Sequence, residues 1–108
     1  MSINKLAAEL LGTHVLVLGG AAAIVSAAAG GAPSNIAIVA SAFGLALIAG
    51  LYAFGEVSGG HYNPAVSFAT ELDGRMDPLS MAGCWIAQVV GATLGWGICR
   101  LVTSGEDA

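Results

Sequence analysis

"SGGHYNPAVSFATEL", Ser58 to Leu72, interrupts an otherwise apolar chain. Asparagine is a favoured helix N-cap and proline a favoured first helical residue, so Asn63-Pro64 reads as a helix start. The helix can run only to the polar turn "DGRMDP", Asp73–Pro78. About nine helical residues cover ~14 Å, roughly half of a ~30 Å hydrocarbon core. Such a segment either lies on a membrane surface or dips in and turns back. The entry loop Ser58–Tyr62 favours the second geometry. Irregular backbone is tolerated at membrane depth where protein buries it or where it lines a wet cavity, and two glycines let it pack closely. The helix N-terminus, with about +0.5 of a charge, then points into the membrane. Asn63 caps it with its oxygen and keeps its NH₂ donors free.

The surroundings support a membrane setting. Of 108 residues, 56% are hydrophobic and 9% charged, against about 25% charged in a soluble domain, and mean hydropathy is +0.83. Three stretches have spanning length, about 6–29, 36–57 and 79–102, in a single domain. "GGAPSN", Gly30–Asn35, separates the first two with turn residues around Pro33. The first stretch has features of a secretory leader, with Lys5, an apolar run and "SAAAGGA". Its length, Glu9 and His14 favour a retained span. The net charge of −4 draws partly on the tail "SGEDA", and no basic patch suggests nucleic acid. Cys84 and Cys99 lie fifteen positions apart in one stretch, ~22 Å along a helix, so they read as small packing residues. Two helix stripes that carry small and polar residues, Glu9/Thr13/Leu16/Gly20 and Cys84/Gln88/Gly91/Gly95, suit close helix contact in lipid.

"AAELLGT" (Ala7–Thr13), "AFGLALIAGLYAFGEVSGGHYNPAVSFA" (Ala42–Ala69) and "IAQVVGATLG" (Ile86–Gly95) resemble the first half of the aquaporin and glycerol-facilitator family. The resemblance covers nearly the whole chain. It implies an all-α membrane fold of six spans and two re-entrant half-helices built from inverted repeats, of which this chain looks like one: three spans and one half-helix. The polar end of a lone half-helix at mid-membrane costs several kcal/mol per unpaired group. The resemblance implies a second, inverted half-helix meeting it tip to tip. A second copy of the chain in antiparallel orientation is the simplest source; a separate second-half protein and a truncated or fragmentary product are the other readings. Three crossings place Lys5 and Arg75 on one side and Arg100 on the other, a weak positive-inside bias compatible with insertion both ways. Family members are generally tetramers of pores, which implies eight such chains.

The expected function is a passive channel for water or small uncharged solutes such as glycerol, in the cell membrane, with no enzyme chemistry, cofactor or metal. The alternatives are a non-conducting half or scaffold and a small transporter using Glu9 or Glu56 as a proton site. The resemblance assigns Asn63, Pro64 and Ala65 to the pore midplane, with His61 as loop brace or lumen donor. No cysteine or carboxylate cluster accompanies His61 in the sequence. Phe43 matches the family's filter aromatic, and symmetry adds Leu51, Gly60 and Val66. Phe43, Leu47 and Leu51 share one helix face. Val66 stands where the second-half motif usually carries arginine. Of the two devices used by aquaporin-type pores, an arginine and half-helix ends, only the latter is expected here. Glu9 is expected to brace the loop through its backbone or His61, and Gln88 to bond a loop carbonyl. Trp85 and Trp96 read as ordinary membrane aromatics, and His14 as a subunit contact.

Overall fold

The computed structural model describes residues 2–29 and 35–103. The Gly30–Ser34 part of the first turn and the tail beyond residue 103 lie outside the described residues. Four helices follow in order: α1 (Ile3–Ala29), α2 (Ile36–Ser58), α3 (Pro64–Leu72) and α4 (Pro78–Thr103). The described residues contain no strand. Three helices are long and apolar enough to cross a membrane, with mean hydropathies of 1.9, 2.2 and 1.3 over Ile3–Ala28, Ile36–Ser58 and Pro78–Thr103. The long axis of 46 Å matches a bilayer of about 40–45 Å including headgroups. The chain is a multi-pass membrane protein.

Local chemistry sets the helix ends. The Asn35 side chain accepts the Ile38 N–H at 3.2 Å and opens α2. Gly59, at φ +95°, closes it in the left-handed conformation that glycine adopts without strain, and donates its N–H to the Gly55 carbonyl at 2.8 Å. Asn63, in extended conformation, caps α3 by accepting the Ala65 N–H at 2.8 Å, with Pro64 at the first helical position. Asp77 begins α4, accepting the Ser80 N–H and hydroxyl at 3.2 and 2.6 Å. These bonds hold the exposed Asp77 carboxyl below its ordinary value.

Helix α1 lies between α2 and α4, and α3 rests against α4. The approach of α4 to α1 depends on glycine. A Cβ on Gly91 would strike the Leu10 carbonyl, and one on Gly95 would stand 2.9 Å from the His14 carbonyl. Both obstacles are backbone and cannot swing aside. Cys84, Gln88, Gly91, Gly95 and Cys99 are the side of α4 buried by this contact, together with Ala87. Cys84 and Cys99 are both buried in this contact. Helix α2 is far less covered, with Gly50 its single buried residue.

A carboxylate-braced loop and half-helix

Glu9 has no exposed surface, although it sits in a membrane-type helix. Its carboxylate accepts four hydrogen bonds. Oε2 receives the Ser58 hydroxyl at 2.6 Å and the His61 N–H at 3.1 Å; Oε1 receives the Tyr62 N–H at 2.9 Å and the Gln88 amide at 2.8 Å. Four is about the full acceptor capacity of a carboxylate. One side chain of α1 thus satisfies the loop backbone that would otherwise be stranded in an apolar setting. The attachment point is deep. Glu9 lies ~9 Å along α1 from its start and Gln88 ~15 Å along α4.

Tyr62 fixes the same loop from the other side. Its φ of +54° is a left-handed conformation that a non-glycine residue rarely takes. The residue is 2% exposed, and its hydroxyl donates to the Gly50 carbonyl at 2.8 Å. Gly12 and Gly50 make room for the ring: a Cβ on Gly12 would overlap ring atoms, and one on Gly50 would lie 3.3 Å from Cε2. The strain at φ, of order 1–3 kcal/mol, is held by the slot, the hydroxyl bond and the bond to Glu9.

The half-helix is tied to α4 by three contacts. Ser67 is fully buried, with its Oγ 2.9 Å from His61 Nδ1 and 2.9 Å from Gln88 Nε2. Trp85 Nε1 donates to the Pro64 carbonyl at 3.0 Å, and its ring stands 6.4 Å from that of Phe68. Two sequence expectations change here. Gln88 meets no loop carbonyl; its amide nitrogen bonds the Glu9 carboxylate and the Ser67 hydroxyl, because those groups fill the space between α4 and the loop. Trp85 is no bystander, since it holds the first residue of α3.

The outer side of the segment is open. Asn63, Pro64, Ala65 and Val66 are all exposed. The Asn63 oxygen is used by its own helix, and its NH₂ group donates to no described residue. On α2, Phe43, Leu47 and Leu51 are 36–39% exposed. Phe43 rests on Gly20, and Leu51 on Gly60, which has φ +70°. The fold therefore brings Leu51 and Gly60 together, while Phe43 stands two turns away. Glu56 is exposed near the end of α2, and His14 is half-buried on α1.

His61 also has neighbours that its sequence context hides. Ligand atoms of Glu9, His61 and Cys84 lie within 4.8 Å of one another, which corrects the expectation that no cysteine or carboxylate accompanies this histidine. Sequence reasoning likewise passed over Ser58, Tyr62 and Ser67. The one available signal was spacing, since Ser67 lies one helical turn after Asn63 and faces the α4 side.

Comparison with known proteins agrees with this architecture. The family described as Major intrinsic protein matches residues 1–108. Aquaporin Z of Brucella melitensis biotype 1 is 42% identical over 106 residues, covering 97% of this chain and 46% of that protein. Aquaporin Z of Photorhabdus laumondii subsp. laumondii is 41% identical over 107 residues, covering 96% and 46%. Glycerol uptake facilitator protein-like 6 of Lactiplantibacillus plantarum is 42% identical over 90 residues, covering 83% and 39%. The chain spans less than half the length of each, 39–46%. With the profile matched end to end over three apolar helices and a braced half-helix, the chain belongs to the major intrinsic protein family.

Proposed function

We propose that this chain is one half of a passive membrane channel for water or small uncharged solutes, completed by an inverted second half that is a second copy of itself. Relatives named aquaporin and glycerol uptake facilitator support the transport class and a non-enzymatic role. The observation that carries the reading is the Asn63 amide. Its oxygen caps α3, its NH₂ donates to no described residue, and it stands exposed at the positive end of a helix whose opposite side is bonded through Ser67 to Gln88. A permeating molecule's oxygen fits those donors, and a cation is repelled there. Pro64 and Ala65 continue the tip. His61, turned toward Ser67, supports it from behind.

The depth at which Glu9 and Gln88 hold the loop supports a re-entrant segment. The exposed row Phe43, Leu47 and Leu51, continued by Gly60 and Val66, supplies an apolar wall. Paired with its inverted copy, it forms two similar constrictions without arginine, wide enough in chemistry for glycerol as well as water. Four such pores would take eight chains. Glu9, saturated by four donors, suits a brace better than a proton carrier.

Osmotic swelling of liposomes containing the protein tests the channel. Faster swelling than in empty liposomes is expected, and Asn63→Ala lowers it or admits ions. A wild-type rate equal to that of empty liposomes would remove the channel. Labelling a C-terminal tag from both membrane faces tests the partner: two-sided labelling is expected, and one-sided labelling assigns the second half to another protein.

A further inference from the structure

We propose that Glu9, His61 and Cys84 form a binding site for a thiophilic divalent cation, of which Zn²⁺ is the type, that fastens the re-entrant loop to α1 and α4. The three residues come from α1, the loop and α4, and their carboxylate oxygen, imidazole nitrogen and Sγ lie within 4.8 Å of one another. At the tetrahedral angle two ligands on one Zn²⁺ stand about 3.6 Å apart, given Zn–S and Zn–N bonds of about 2.3 and 2.1 Å. Closing the cluster therefore needs ligand atoms to move by up to about 1 Å, which a rotation of the half-buried imidazole can supply.

Charge selects the ion. Glu9 is fully buried, and its four partners are all neutral: a hydroxyl, two backbone N–H groups and an amide. Among the described residues no cationic side chain forms an ion pair with it. A divalent ion with one carboxylate, one thiolate and one neutral imidazole has no net charge, the cheapest arrangement in a low-dielectric setting. Mixed Cys, His and Glu ligands suit zinc, whereas oxygen-seeking Mg²⁺ and Ca²⁺ gain little from sulfur.

Gln88 provides an independent sign. Its Nε2 is bonded twice, while its Oε1, buried in the same place, has no hydrogen-bond partner among the described residues. A buried amide oxygen without a donor is uncommon. When an ion takes the position of the amide nitrogen on Glu9, half a turn of the amide brings Oε1 toward the ion or a water bound to it. Access is from the polar side. His61 and Ser58 border a pocket of about 310 Å³ that also meets Lys5, Arg75 and Asp77. The thiol proton of Cys84 leaves to water by that route as the thiolate binds.

The test is metal binding by the purified full chain in detergent or nanodiscs, with Co²⁺ as spectroscopic probe and Zn²⁺ as competitor. Near-ultraviolet thiolate-to-cobalt absorption at one ion per chain is expected, bleached by Zn²⁺. Cys84→Ser loses the band and weakens Zn²⁺ binding about 100-fold or more, while Cys99→Ser keeps both. Zn²⁺ at a hundred times its Kd raises the wild-type Tm by roughly 10 °C. Absence of the band from the wild type, or its persistence in Cys84→Ser, would overturn the site. The readout uses one chain's residues and no flux, so it stands apart from the outcome for the pore.

Discussion

The two sides of the Ser58–Leu72 segment differ in kind. The inner side is closed: Glu9, Tyr62, Ser67 and Gln88 are at most 2% exposed and share a continuous set of hydrogen bonds. The outer side, from Asn63 to Val66, is exposed and offers an amide with unused donors. The contrast separates two tasks. Placing the loop needs only this chain, since every backbone donor that Glu9 satisfies is internal. Enclosing a lumen needs something opposite Asn63 and the bare face of α2.

The comparison can be broken most severely at Glu9. Glu9→Leu strands two backbone N–H groups, a hydroxyl and an amide. At about 1–3 kcal/mol for each buried donor left unmade, a loss of roughly 4 kcal/mol or more is expected, read as failure to purify a monodisperse protein or a collapse of Tm. A Tm near wild type would mean that the inner side is not what holds the loop.

Tyr62→Phe is milder. It keeps the ring in the Gly12–Gly50 slot and removes only the bond to the Gly50 carbonyl, which costs about 1–2 kcal/mol with the flux pathway retained. A thermal melt beside a swelling assay measures both quantities. On the outer side, Asn63→Ala removes an exposed cap, costing roughly 0.5–1 kcal/mol, yet it alters permeation. Destabilisation as large as that of Glu9→Leu would erase the distinction between the two sides.

The smallest effect lies outside the membrane-spanning segments. The folded-state pKa of Asp77 is depressed by the Ser80 hydroxyl and N–H, so its contribution is present above the unfolded value of 3.8 and is lost as pH falls through the lower folded value. Melts between pH 6 and pH 3 should show a shallow decline that Asp77→Asn flattens. The same slope in that variant would place the titration elsewhere.

Much of this arrangement was legible before folding. The spans follow from contiguous apolar length, and the start of α3 from the adjacent pair Asn63-Pro64. Glu9 stood out as a carboxylate inside an apolar stretch, which needs partners wherever it lies. Tyr62 did not stand out, because an aromatic beside a polar motif looks like ordinary membrane composition. Its slot is made by Gly12 and Gly50 on two different helices. Trp85 was misread for a related reason: its indole partner, the Pro64 carbonyl, is 21 positions away.

The sequence by itself determined the helices, the half-helix and its cap, and the family, because apolar length, capping and local motifs are properties of neighbouring residues. Only the tertiary structure decided what Glu9 bonds, where Tyr62 seats and which thiol stands beside His61. Those contacts join residues 12 to 79 positions apart. They exist only once α2 and α4 have closed on α1, and that packing depends on backbone approach at a few glycines, which no local pattern encodes.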